Sequence, residues 1–573
     1  MKRLLYFAAA ALLLTGCEDF LDTESYTKKN TTNFPANEGD VALQLVGIYN
    51  TLNVAVADPQ CTYFYAAELA SDDRFGGGGD NDKLMQAWDK IMNYNSDASL
   101  PFWKARYQGI FRANSMISSI ESMGLTGDGV AKMKGEAYFL RAFFYHELAE
   151  MYGEVPLMVT TEAVTLPKSN ADQIYAQIAT DLDSAITLMK AVPYTDISAG
   201  HVTKWAAEAL LARVYLFYTG YYKKDALPTV GGGSISKAEV IAYLDEIMSS
   251  TSGHDLVGDF RNLWAYTNKF TKDDYSKVAG VKGVDENDLA WAEDGNKESI
   301  FAIKFSKFAD WSTTIGYSNQ YLLHFGIRGG QPYDNTFPLG AGWGAGPVNP
   351  TLWDEWANAE PEDLRREGSI MPVKDLKGYS FGGWSMMEET DYWQMKCVHI
   401  SAKTGDQDEN GIDKYYSSFS VPMFGATDNF QLDGVNDLVL IRYADVLLMH
   451  SELTETVTGI NLVRKRAGLT ELGAYSPDAL KNERRWELAF EGRRWADIRR
   501  WNVAADLLEK QLGVKIYKSG AAATMIPFGG GYKARYAATG GFFPIPESEV
   551  ALSNGVLVQS AGYGDASSQY QGW

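Results

Sequence analysis

Residues 441–501 read IRYADVLLMHSELTETVTGINLVRKRAGL (441–469), then a short loop, then SPDALKNERRWELAFEGRRWADIRRW (476–501). In the first segment Ala444, Leu447, Leu448 and Ser451 recur at three- and four-residue steps, which predicts an amphipathic helix. A second short helix carries Ile460, Val463 and Ala467, and Gly468 stands where it can stop. Ser476 is a good N-cap, and Pro477 occupies a first helical position, where no N–H is needed. The helix predicted after it is long and densely charged. Arg493 and Asp497 are four apart and can pair on one face, while Trp486, Phe490, Ile498 and Trp501 supply the buried side. Three successive helices follow, two of them forming a hairpin.

The same period recurs upstream. Helices are predicted over 41–56, 101–123, 134–152 and 169–189, and from Thr203 to Gly220. Ser169 and Asp172 make a capping-box-like start for the fourth. Ala206, Ala207, Ala209 and Ala212 let backbones approach closely in the fifth. Their spacing is close to the ~34-residue tetratricopeptide period, although the Trp-Leu-Gly-Tyr signature of that repeat is absent. Between the first two, SDDRFGGGGDNDK (71–83) favours turns over regular structure. From about 264 to 440 the helical stripes give way to glycine, aromatic and short apolar stretches, and eight of the fifteen tryptophans fall between Trp264 and Trp393.

At the N-terminus, Lys2 and Arg3 precede an apolar run from Leu4 to Leu14, too short to span a bilayer and fitting a secretory signal. Leu14-Thr15-Gly16-Cys17 matches a bacterial lipobox, in which lipid is attached to the cysteine.

Several motifs carry a family resemblance. RYADVLLM, INLVRKRAG and ERRWELAFEGRRWADIRRW, in that order, resemble the C-terminal signature of the SusD/RagB family. Trp103, Tyr107, Ile110 and Asn114, RAFFYHELAEMYGEVPL (141–157), VTKWAAEALLARVYLF (202–217), FFPIPESEV (542–550) and the start CEDFLD (17–22) are similar to further motifs of that family. Two positions depart from it: SELTETVTG (451–459) is shorter than the usual turn, and His201 stands where arginine is usual. The resemblance implies a mainly α fold, a tetratricopeptide-like helical scaffold with a loop-rich, aromatic-rich second lobe. It divides the chain into a signal peptide (1–16), a helical repeat part (17–263), a loop-rich ligand-binding lobe (264–440) and a C-terminal signature region (441–573). It also implies a surface-exposed lipoprotein of the outer membrane that captures oligosaccharide, or in some members peptide, and delivers it to a SusC-like TonB-dependent transporter.

The formal net charge of −21 argues against nucleic acid as a partner. Cys61 and Cys397 either pair or remain two buried thiols. No Gly-Lys pair, G-x-S-x-G or C-x2-C occurs, so phosphate-loop, hydrolase-elbow and zinc-ribbon chemistry have no motif. His146-Glu147-Leu148-Ala149-Glu150 ends in glutamate where a zinc helix needs its second histidine. A glycan-cleaving enzyme therefore has no motif behind it, and no catalytic residue is expected. Asp406, Asp408 and Asn410, followed by Gly411, match the first half of a calcium loop. Ser417 stands twelfth in place of the bidentate glutamate, which leaves a weak calcium site or an ordinary acidic turn. The arginines at 484–500 are balanced by Glu483, Glu487, Glu491 and Asp497, and read as a structural ion-pair network. Aromatics are the functional lead, because sugar rings have apolar C–H faces that stack on indoles while their hydroxyls need polar partners. Trp88, Trp311 and Trp343 sit outside helical stripes among glycine and polar residues. With Tyr317, and with Asp73 and Arg74 as polar partners, they form the expected ligand platform.

Overall fold

The computed structural model describes residues 34–273, 289–293, 296–312 and 314–573. The leader and Cys17 lie outside the described residues. Six long helices open the fold: α1 (Glu38–Val56), α2 (Leu100–Ser122), α3 (Asp128–Tyr152), α4 (Ala171–Leu188), α5 (Lys204–Tyr222) and α6 (Lys237–Met248), with two short ones, Tyr63–Leu69 and Lys83–Asp89, between the first two. Each of the six packs on the next, as in a helical repeat array. The C-terminal helices α7 (Tyr443–Thr454), α8 (Thr458–Arg466), α9 (Pro477–Leu488) and α10 (Arg494–Arg500) extend it. α7 lies on α6, and α10 lies on α5. The tetratricopeptide-like expectation thus describes the scaffold.

The local reasons are legible at the caps. Thr203 accepts from Ala206 N at the start of α5, and Ser476 accepts from Ala479 N at the start of α9. α4 is capped one residue later than predicted: Asn170 and Gln173 form the reciprocal box, while Asp172 bonds Tyr218 and Lys224 instead. α5 runs past Gly220 to Tyr222, because that glycine is where Arg500 of α10 comes close; a Cβ there would lie 2.6 Å from the Arg500 carbonyl oxygen.

The long charged helix predicted over 477–501 is in fact two. The backbone turns at Phe490, whose φ is +65°, and the Gly492 N–H donates to the buried Glu68 carboxylate at 2.6 Å. Asp497 pairs with Arg484 at 2.9 Å and Arg500 at 2.8 Å, not with Arg493 as predicted. Trp486, Phe490 and Ile498 are buried as expected, but Trp501 is half-buried, its indole N–H on Glu452. The remaining acidic residues join an ion-pair network, as expected, but with arginines from outside the stretch. Arg365 donates to Glu483 at 2.6 Å and Glu487 at 2.8 Å. Arg442 donates to Glu298 at 2.6 Å, and it and Arg466 both reach Glu487. All six side chains are buried.

The loop-rich lobe leaves and re-enters the helical array on one antiparallel ribbon, Ser299–Ile303 against Leu438–Arg442. A second apolar core includes Ile327, Leu339, Met371, Trp393, Ile400 and Phe419 from between these strands, and Tyr266 from before them. Short two-stranded ribbons frame it. Cys61 and Cys397 are both free and buried.

Candidate functional site

The glycine loop after α1 does not hang in solvent. It inserts into the lobe as an extra backbone strip, with bridges at Arg74↔Val348 and Gly77↔Ala345. Phe75 N donates to Pro347 O at 3.0 Å, Gly78 N to Gly344 O at 2.8 Å and Met387 N to Gly78 O at 2.7 Å. Gly77 has φ +73°, and a Cβ on it would lie 2.2 Å from the Gly344 carbonyl oxygen. Only glycine permits both that dihedral and that approach. The Glu388 carboxylate accepts from Gly76 N at 3.0 Å, Gly77 N at 3.3 Å and Trp573 Nε1 at 2.7 Å. It also takes the buried Lys90. Burial beside that carboxylate pushes Asp89 up to about 7, against the pull of Lys90.

This insertion overturns three of the expected platform residues. Asp73 and Arg74 are buried. Asp73 pairs with Arg485 at 2.7 Å, and Arg74 pairs with Glu68 at 2.7 Å while its guanidinium lies over Phe325 and Phe490. Trp88 is 1% exposed, edge-on to Phe543, its indole N–H on Gln60 O. A loop that closes a core cannot also present its rings to solvent. Trp343 is half-buried against His324. Trp311 and Tyr317 are exposed, 59% and 41%, on a separate loop.

What the inserted strip does position is a candidate site with no motif to mark it in the sequence. Arg328 is its hub. Its Nη1 meets Asp82 at 2.6 Å and donates to Trp343 O at 2.6 Å, and its Nη2 donates to Trp384 O at 3.3 Å. One guanidinium thus joins the strip after α1 to two tryptophan-bearing segments of the lobe. Trp384 is 52% exposed, and its φ of +46° is rare for a bulky residue. Its ring lies on bare backbone: a Cβ on Gly329 would sit 2.2 Å from that ring. One face of the indole is therefore seated on glycine while half the residue meets water. The left-handed dihedral costs roughly 1–2 kcal/mol, and strain of this kind collects at functional sites. The signal that could have found it is the paired glycines, Gly329-Gly330 after Arg328 and Gly382-Gly383 before Trp384.

Asp406, Asp408 and Asn410, read as a weak calcium site or an ordinary acidic turn, have the geometry of a turn. These residues close an exposed hairpin, Ala402–Gln407 against Asp413–Tyr416. Asp408 caps the turn by accepting from Asn410 N at 2.8 Å and Ile412 N at 3.0 Å. Among the described residues no group of three or more His, Cys, Asp or Glu side chains is arranged to hold a metal.

Two family models match this chain. One, described as starch-binding associating with outer membrane, matches residues 19–216, and the SusD family model matches residues 297–563. The chain belongs to the SusD/RagB family. It is similar to SusD-like protein P2 of Formosa agariphila, with 25% identity over 87% of this chain and 91% of that one. A SusD-like protein of Bacteroides ovatus is 21% identical over 87% of this chain and 82% of its own length. Among solved structures, a laminarin-binding SusD-like protein superposes with a TM-score of 0.66 at 23% identity, covering 92% of this chain and 100% of that one. Surface glycan-binding protein A from Bacteroides thetaiotaomicron in complex with laminarihexaose gives 0.64 at 21% identity, covering 91% and 99%. At these identities the structures establish a shared fold.

Proposed function

We propose that this chain is a cell-surface lipoprotein that binds oligosaccharide without cleaving it, and hands it to a partner TonB-dependent outer-membrane transporter. The observation that carries the binding surface is Trp384, a strained tryptophan seated on glycines with its ring half open, beside Arg328 and Asp82. An indole face stacks on the C–H face of a sugar, and the neighbouring carboxylate and guanidinium bond hydroxyls. The half-buried Trp343 shares the same arginine. A shallow, ring-based surface favours sugar over an extended peptide, which would need a groove of backbone partners. Relatives whose names include laminarin and laminarihexaose support the same class of ligand.

Stacking on one face is worth roughly 1–2 kcal/mol, from apolar area at ~25 cal/mol/Å². Trp384→Ala should therefore weaken oligosaccharide binding about tenfold in calorimetry and leave the melting temperature within a few degrees. The fully buried Trp356, stacked on Trp486, should behave in the opposite way when changed to alanine. Unchanged affinity in a folded Trp384→Ala protein would move the site elsewhere. Product sugars released with turnover by the wild type would sink the binding-only reading.

Cys17 is the proposed anchor. Cys17→Ser should release the protein from outer-membrane fractions in detergent-free fractionation of cells lacking the transporter, because acyl chains supply the attachment at about 0.8 kcal/mol per buried CH₂. Among the described residues no helix is long and apolar enough to cross a membrane.

A further inference from the structure

A second aromatic surface lies on the loop between Lys304 and Ser318, well apart in sequence from Trp384. Phe308 is 71% exposed, Trp311 59% and Tyr317 41%. The loop that carries them is internally tied. Ser306 N donates to Tyr317 O at 2.8 Å, Asp310 N to Thr314 Oγ1 at 2.9 Å and Ser312 N to Asp310 Oδ1 at 2.7 Å. Ala309 is buried beneath it, and Asn53 of α1 holds the Gly316 carbonyl. The described residues of this stretch are thus tied to one another and to α1, so a ligand that stacks on these rings has little chain to order around them.

The base of this loop opens into a cleft of about 260 Å³. Trp291, Phe305 and Phe424 give it ring faces, and Glu293, Ser306 and Lys307 give it polar groups. Lys307 sits where cleft and loop meet: its ammonium donates to Phe424 O at 2.6 Å and lies over the Phe308 ring at 5.7 Å. Ring faces flanked by a carboxylate, a hydroxyl and an ammonium are the complement of a sugar, with apolar C–H faces and a hydroxyl rim. A protein partner is the poorer match, since a stable interface needs on the order of 1,200 Å² and three rings on one loop supply a fraction of that.

We infer that Phe308, Trp311 and Tyr317, with the Trp291 cleft, form a second oligosaccharide site, independent of the Trp384 platform. The inference rests on the proposed glycan-binding function. Two sites on one chain would let a long polysaccharide engage both, and its avidity would exceed the affinity of a short fragment for either.

The test is calorimetry with hexasaccharides of the laminarin, starch, mannan and xylan series, on wild type, Trp384→Ala, Trp311→Ala with Phe308→Ser, and the triple variant. The expected result is two equivalents of one hexasaccharide per wild-type chain, one per chain in either variant, and none in the triple. The parent polysaccharide should bind the wild type at least tenfold more tightly than the hexasaccharide, and each variant should lose that gain. One equivalent in the wild type, abolished by Trp384→Ala alone, overturns the second site and leaves the glycan reading standing. No binding of any hexasaccharide by the wild type overturns both. Phe308 and Trp311 are exposed, so these substitutions leave the folded core intact, which a thermal melt of each variant checks.

Discussion

Glu487→Gln is expected to lower the unfolding free energy by about 3–5 kcal/mol, because it leaves buried arginines without their counter-charge. Glu487 receives Arg365, Arg442 and Arg466 at once, and none of the four reaches solvent appreciably. Burial by itself would raise its carboxyl, but Arg466, Arg442 and Arg365 overcome that and hold it well below the usual range. A carboxylate with a depressed folded-state pKa contributes stability that is fully present above its unfolded value, near 4.3 for glutamate, and is lost as the pH falls toward the folded value. The gap between wild type and Glu487→Gln should therefore be full at pH 7 and narrow below about pH 4. Denaturant midpoints across that range measure it. A gap independent of pH would mean that packing, not charge, carries the effect.

Gly77→Val should cost about 2–5 kcal/mol and should also weaken glycan binding. Two penalties add: the left-handed backbone, roughly 1–2 kcal/mol for a residue with a Cβ, and a forced shift of close-packed neighbours, about 1–3 kcal/mol. A Cβ at this position would lie 2.2 Å from Gly344 O and 2.6 Å from the Pro347 ring. The strip would be pushed off the 344–348 segment, and Asp82 with it. Gly124→Ala is the control, with φ +62° and nothing within 4 Å of the added carbon, so it should show the backbone cost alone and leave binding untouched. Equal destabilisation by the two substitutions would refute the close-approach argument.

The helical half of this molecule was legible because its signals are local. Thr203, Ser476 and Pro477 act within one turn of themselves, and the apolar stripes repeat at a fixed step. The break at Phe490 was hidden because its cause is remote: Glu68, on a different part of the chain, holds the Gly492 N–H. The same reason explains the site. Asp73, Arg74 and Trp88 look like an exposed polar and aromatic loop when only their neighbours in sequence are read. Burial comes from Val348, Arg485 and Phe543, which no local pattern announces. Trp384 escaped notice because its platform is made by Gly329 and Gly330, fifty-odd residues away. Trp311 and Tyr317 are exposed, as read from a stretch without helical stripes, and the bonds that tie their neighbours are short-range.

The Glu388 carboxylate has a consequence for timing. From position 388 it gathers Gly76, Gly77 and Lys90, early in this sequence, and Trp573, the last residue given. Contacts between positions so distant form late, since loop closure must precede them. The helical pairs, each next to its sequence neighbour, can assemble first. A folding chain would thus pass through a stage with its scaffold built and its proposed binding surface still open, and a chain under denaturing stress would return through the same stage. Any binding at that surface should then switch off before helicity does, so a partly unfolded molecule would lose the proposed ligand while still looking folded by circular dichroism.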